Sequence, residues 1–247
     1  MRIDPKKCVG CGQCRPFCTM KCIEFARSEK GNKVHCKVNE DECVDCEICF
    51  RSQVCPTDAL KQPYTEWPRT VRGTFSNPLA IHKETKVPGR GTEEMKTNDL
   101  TNRFPRGYAG VSAEMGRPGI GARLRDAEKM FKALAALGVE FEKQNPLTSL
   151  LIDTGTGEMN PEVLDEKVLS CIVETTVPLD RVIEVLDTME SVAGDVDSVY
   201  SLDLVCRTLE DQSIPTLKIL EENGRWYSFN GKINIGLGKM KVKGADN

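Results

Sequence analysis

Ten of the twelve cysteines in this 247-residue chain fall within its first 55 residues, and eight of those ten stand at metal-ligand spacing. One run reads Cys8-x2-Cys11-x2-Cys14-x3-Cys18, and the other reads Cys43-x2-Cys46-x2-Cys49-x5-Cys55 with Pro56 following. A cuboidal [4Fe–4S] cluster takes four thiolates. One short loop can supply three of them at two-residue gaps, and the fourth comes from elsewhere in the chain. In runs of this type the fourth cysteine of each motif serves the other cluster, which requires the two runs to fold side by side. That requirement constrains the fold more tightly than any hydrophobic pattern in the chain, and the chemistry it points to is electron transfer.

Two stretches of text carry a family resemblance: Val9-Gly10-Cys11-Gly12-Gln13-Cys14 and Cys55-Pro56-Thr57-Asp58-Ala59-Leu60. Residues 1–62 resemble a bacterial-type two-cluster ferredoxin. The resemblance implies two [4Fe–4S] clusters, one held by Cys8, Cys11, Cys14 and Cys55 and the other by Cys18, Cys43, Cys46 and Cys49. The chain departs from the family pattern twice. Thr19 follows Cys18 where the family has proline, so the turn away from the cluster lacks a fixed φ. Residues 50–54 put five positions before Cys55 where the family has three. The longer loop bears on the exposure, and so the potential, of the cluster beside it.

Two more cysteines lie in the same stretch. Cys22 aligns with Ala59 when the two half-motifs are superposed, a position that takes a small buried side chain, and free cysteine serves as one. An exchange of Cys22 for Cys18 as ligand stays open. Cys36, between His35 and Lys37, has no partner at metal spacing and reads as a buried structural residue.

The length gives room for a cluster-binding module and one further domain. The formal net charge of −3 selects no partner, but its distribution is uneven. Residues 60–129 carry 13 basic and 8 acidic side chains, and residues 130–247 carry 11 and 20. The basic middle has no interleaved aromatics and no nucleic-acid motif, so no nucleic-acid partner is expected. The opening residues hold no apolar signal region, and no apolar run is long enough to span a bilayer. Cysteines at metal spacing, not disulfide spacing, fit a reducing compartment. A cytoplasmic protein with no membrane span is expected, and the family resemblance implies an anaerobic setting.

Beyond the cysteines the pattern predicts an α+β chain: an N-terminal dicluster ferredoxin module (1–62), an extended arm (63–106), and a ferredoxin-like βαββαβ sandwich domain (107–247). The arm is punctuated by Pro63, Pro68, Pro78, Pro88 and Pro105 and carries the spaced apolar anchors Trp67, Phe75, Leu79, Ile81, Met95, Leu100 and Phe104. Such a segment wraps either its own domain or a partner subunit. Strands are expected at 108–115, 139–141, 147–152, 169–177 and 198–206, with helices over 122–137 and 179–193. Two βαβ-like units in tandem close most simply as a four-stranded antiparallel sheet under two helices. A short helix after Asn160-Pro161, another near 215–222 and a hairpin over 226–235 with Asn230-Gly231 at its turn complete the expectation.

Other candidates are weaker. Gly116-x-x-Gly119-x-Gly121, near Arg117, Arg123 and Arg125, reads as a glycine-dependent strand-to-helix connection, with anion binding as the alternative. Residues 89–94 read as a turn leading into a helical start, with an anion or partner contact as the alternative. His35 and His82 lack ligand-spaced companions, and Cys171 and Cys206 fall in predicted strands as buried structural thiols. No catalytic set assembles from the sequence. The chain is expected to be the electron-transfer subunit of an anaerobic oxidoreductase complex. It would relay single electrons between a donor or acceptor protein and a larger catalytic redox subunit. The alternatives are a stand-alone iron–sulfur reductase, whose second domain binds a small substrate or cofactor, and a redox-linked metabolite sensor.

Overall fold

A computed structural model describes residues 1–28, 33–88, 103–117 and 119–228. The cysteine-rich region is built from two short antiparallel ribbons. In the first, β1 (Arg2–Ile3) pairs with a strand that follows Cys55. The second joins β2 (Ile23–Arg27) to β3 (Val34–Val38), with Ile23 opposite Val38 and Arg27 opposite Val34. A four-residue helix, α1 (Ile48–Arg51), falls inside the second cysteine run, and β4 (Leu60–Lys61) closes on β1 through Ile3–Leu60. Ribbons this short are marginal alone. Their shared core holds Met1, Ile23, Val38, Ala59 and Leu60 together with Cys8, Cys14, Cys22, Cys36, Cys43 and Cys49. Thiols therefore make up about half of a very small core.

The expected arm is partly regular. Residues 70–76 form a helix, α2 (Thr70–Ser76), which buries Val71 and Phe75 in the core of the following unit. Phe104 is also buried, whereas Leu79 and Ile81 are exposed. The self-wrapping alternative therefore describes α2. Met95, Leu100 and the Gly89 to Gly91 turn lie outside the described residues, as does most of the hairpin expected at 226–235.

The second unit is organised around β5 (Tyr108–Met115), the expected first strand. The ribbon strand β6 (Ala122–Arg123) leads into α3 (Leu124–Ala135), which buries Leu124, Ala127, Met130, Phe131 and Leu134 along one side. A hairpin of β7 (Leu151–Asp153) and β8 (Glu158–Met159) follows, and β9 (Lys167–Val168) pairs back on β6. Next come β10 (Cys171–Pro178), α4 (Val182–Ser191), β11 (Tyr200–Cys206) and α5 (Pro215–Glu222). The sheet order is β10-β5-β11, antiparallel throughout, with Val173 and Leu202 flanking Ala113. After Pro161 the chain makes one turn of tight 3₁₀ helix, with the Asn160 side chain accepting the Glu162 N–H.

The sheet has three strands where four were expected. The missing strand survives as a single bridge from Phe141 to Thr175 on the free edge of β10. Asn145 stops it from growing. Its carboxamide donates to the Ile172 carbonyl at 2.9 Å and to Glu174 at 2.6 Å, and its oxygen accepts the Leu147 N–H at 2.7 Å. Pro146 then offers no N–H for a ladder. The strand expected over 147–152 is instead a 3₁₀ turn at Thr148–Leu150, followed by β7 in its own hairpin.

Gly116 and Gly121 stand in the connection between β5 and β6. They adopt φ of +93° and +73°, and a Cβ on either would meet a carbonyl oxygen within 2.9 Å. Glycine is needed there for the turn itself. No helix among the described residues is long and apolar enough to cross a membrane.

Because Phe75 is 5% exposed and lies in the second core, Phe75→Ala should lower unfolding stability by about 3–5 kcal/mol. Leu79→Ala, at 69% exposure, should change it by less than about 0.5 kcal/mol. Denaturant melts followed by tryptophan fluorescence would measure both. Equal, small effects would show that α2 is not part of that core.

Two cysteine-lined cavities as the candidate site

The two ribbons bring the cysteine runs together around two cavities. The first is lined by Cys8, Cys11, Cys14 and Cys55, with Cys36, Ile3 and Leu60 among the other walls. The second is lined by Cys18, Cys43, Cys46 and Cys49, with Cys22, Ile23 and Val38 among its other walls. Each cavity thus takes three cysteines from one run and the fourth from the other. The crossing follows from the ribbons. Pairing β1 with β4 returns Cys55 to the loop after β1, and Cys18 precedes β2, whose partner β3 leads directly into the second run.

The two fourth cysteines have matching surroundings. The Cys18 sulfur accepts the Cys22 N–H at 3.3 Å, and the Cys55 sulfur accepts the Ala59 N–H at 3.2 Å. Cys22 and Ala59 occupy equivalent buried positions, as the aligned half-motifs predict. The Cys22 and Cys18 sulfurs lie 3.4 Å apart. Cys36 is buried, as expected of a structural thiol. The register of the second ribbon turns it into the first cavity, where its N–H donates to the Cys8 sulfur at 3.2 Å. Cross-strand pairing decides that position, and no local spacing announces it.

Hydrogen bonding and burial pull the thiols apart in acidity. The hydrogen bond with Cys22, helped by backbone N–H groups, brings Cys18 down to about 6. The same thiol lowers Cys43 against the effect of burial. Burial opposes ionisation of Cys55, but the backbone donors from Ala59 and Thr57 prevail and lower it. Burial pushes Cys14 and Cys49 up to about 12, with neighbouring thiols adding to it. Cys22 is raised, first by its hydrogen bond to Cys18.

No three His, Cys, Asp or Glu side chains among the described residues converge on a point that one metal ion could occupy. A cubane cluster makes a different demand, because its ligands stand at its four corners and ring a cavity. The ringed arrangement, the apolar walls and the N–H donors aimed at sulfur fit such a group. Close approach by backbone helps. Gly10 and Gly12 have φ of +71° and +74°, and a Cβ on Gly12 would stand 2.7 Å from the Phe25 ring.

The second cavity is fastened to the rest of the chain by its acidic loop. Asp45 is 1% exposed and receives both the Met1 ammonium and the Arg69 guanidinium. Arg72, 4% exposed on α2, pairs with Glu166 and donates to the carbonyls of Glu40, Asp41 and Cys43, each at 2.9 Å. Lys167 reaches Glu42 at 2.5 Å, and Arg123 reaches Asp41 at 2.5 Å. Leu169 N–H donates to the Ser76 hydroxyl at 2.9 Å. Arg69 and Arg72 carry no signal in the sequence, since each is one arginine in a proline-punctuated segment.

The remaining sequence candidates lie elsewhere. Arg123 and Arg125 are paired with Asp41 and Asp165, so neither is held ready for an anion at the glycine loop. His82 packs edge-on against Phe75 at 5.0 Å, and His35 sits half-buried in β3. Cys171 is fully buried in β10, and the Cys206 sulfur lies 3.2 Å from the Thr216 hydroxyl. Comparison with known protein families, with curated proteins and with solved structures finds no match.

Removing the buried guanidinium strands Glu166 and three carbonyls. Arg72→Met should therefore cost about 3–5 kcal/mol of stability, whereas Arg123→Ala, at a more exposed pair, should cost about 1 kcal/mol or less. Arg123 lowers the Asp41 pKa by hydrogen bonding. Its small contribution is complete above the ordinary carboxylate pKa and is lost as pH falls through the lowered value. Chemical denaturation at neutral pH and near pH 3 would measure all three effects. A silent Arg72→Met would remove Arg72 from this role.

Proposed function

We propose that the chain is an iron–sulfur electron-transfer subunit, carrying two [4Fe–4S] clusters in a dicluster ferredoxin-type module. It relays single electrons between a carrier protein and a larger catalytic redox subunit in an anaerobic cytoplasm. The observation that carries this reading is the crossing: each cavity is lined by three cysteines of one run and the fourth cysteine of the other. Cys8, Cys11, Cys14 and Cys55 would hold one cluster, and Cys18, Cys43, Cys46 and Cys49 the other.

When bound, a cluster takes up and passes on one electron at a time without a change of bonding partners. The chain's own residues prepare for it. Cys18, Cys43 and Cys55 are held toward thiolate by hydrogen bonding. Burial raises Cys14 and Cys49, so each would give up its proton to solvent on ligating a positively charged group. Ile3, Leu60, Ile23 and Val38 exclude water, which fixes the local dielectric, and N–H donors to sulfur stabilise the more negative state. Potentials of such clusters span roughly −700 to +450 mV and depend on these features. The second unit, with a split sheet order resembling the βαββαβ sandwich, supplies bulk and a docking surface for the catalytic subunit.

Anaerobic reconstitution followed by iron and sulfide analysis tests the reading. The full chain should bind about eight iron atoms. Cys22→Ala and Cys36→Ala should keep that number, and Cys11→Ser should lose about half of it. Binding of one or two iron atoms without sulfide would overturn the proposal, and loss of iron in Cys22→Ala would reassign the second ligand set.

A further inference from the structure

The cysteine-rich module is electrically divided. Residues 1–28 and 33–38 hold eight Lys and Arg against two Asp and Glu, while residues 39–58 hold one against six. The acidic half has a partner within the chain, since Arg69, Arg72, Arg123 and Lys167 clasp Glu40 to Asp45. That clasp covers the flank of the second cavity. The basic half contributes walls to both cavities, and its cations are exposed, five of them near the loop of Cys8 to Cys14 that lines the first.

Its geometry is that of a small docking face. Cys11 and Val9 line the first cavity and are exposed, Val9 at 56%. Phe25 at 50% and Val34 at 39% stand beside them, because a Cβ on Gly12 or Gly10 would touch their side chain or backbone. Around this apolar centre lie five cations. The Arg15 guanidinium stacks 4.6 Å over the Phe25 ring. Arg27 shares the sheet face of Phe25 and pairs with Val34. Lys33 reaches back to the carbonyls of Pro5 and Lys6, bringing Lys6 and Lys7 alongside. Among the described residues the one carboxylate within salt-bridge reach of these five cations is exposed Asp58, 3.9 Å from Lys7.

An apolar centre with a charged rim is the usual build of a transient interface, in which charge steers the encounter and sets orientation. From this we infer that the Val9–Phe25–Val34 face is the docking site for an acidic one-electron carrier protein, which exchanges electrons through the first cavity. The inference rests on the electron-transfer reading. The electron would pass between the carrier's cofactor and the cluster that Cys8, Cys11, Cys14 and Cys55 would hold, one partner being oxidised by one electron and the other reduced by one. The second cavity, flanked by the chain's own second unit, then faces the catalytic side.

The test is stopped-flow electron transfer from a reduced acidic flavodoxin to the reconstituted full chain, with a basic c-type cytochrome as the charge-reversed probe. The whole chain is net negative, so an unspecific encounter with the flavodoxin would speed up as salt is added. A steered encounter on the basic face should instead slow roughly tenfold between about 20 mM and about 500 mM salt. Two variants keep the test independent of folding at one site: Lys6→Glu with Lys33→Glu, and Lys7→Glu with Arg27→Glu. Each should cut the low-salt rate about fivefold or more while leaving iron content and the high-salt rate unchanged. Lys37→Glu, on the opposite face of its ribbon, should act more weakly.

Rates that rise with salt, or oxidation of the reduced chain by the cytochrome that is slowed in the same charge-reversal variants, would overturn the docking site. So would equal loss at low and high salt in the variants, which would mean that the cations act on the cluster itself. Capture of anionic vesicles or single-stranded DNA in place of the flavodoxin would also overturn it. Failure to load iron would sink the underlying reading, and normal iron content with any of these results would sink the docking site alone.

Discussion

A core in which thiols are about half of the members is the constraint on which the N-terminal half depends. Cysteine packs as a small hydrophobe, but two short ribbons and five other apolar side chains bury little area. Domains of this size need a staple, and under the proposed function ligation across the two runs would supply one. Each cavity recruits from both runs, so nothing bound in one cavity could be held without drawing the two runs together. Under the proposed function the same bonds would close the fold and set two redox centres side by side.

The second constraint is Arg72. A buried guanidinium is expensive unless every donor finds an acceptor, and here the acceptors come from two parts of the chain at once. Glu166 belongs to the second unit, and the carbonyls of residues 40, 41 and 43 belong to the loop of the second cavity. Val71 and Phe75 anchor the same helix in the core of the second unit. Together they fix which cavity lies against the body of the protein and which is left for solvent. The charge division of the module follows the same line, with acidic residues neutralised inside the chain and basic residues turned outward.

What the sequence disclosed and what it withheld divide by range. The cysteine runs are local, and their spacing singles out the eight cysteines that line the two cavities four by four. The strand at residues 108–115 and the helix of Leu124, Met130 and Phe131 were legible because their apolar periods are strong. Cys36 is buried as its sequence context suggests, and only the β2–β3 register places it at the wall of the first cavity. The fourth strand was expected from β-rich text around Phe141, but a single side chain, Asn145, takes the backbone groups that would have extended it. The arm looked irregular because α2 is short and carries a glycine and two threonines, and its helix is held by Val71 and Phe75 packing into a distant core.

The central claim is that the two cavities hold two adjacent clusters, each ligated by both runs. Electron paramagnetic resonance of the fully reduced, reconstituted chain tests it most directly. Two neighbouring paramagnets should give one complex, broadened spectrum. In Cys11→Ser, which removes a ligand from the first cavity, that spectrum should collapse to a simple rhombic signal. A simple signal already present in the unaltered protein, or one typical of isolated high-spin iron, would contradict the account.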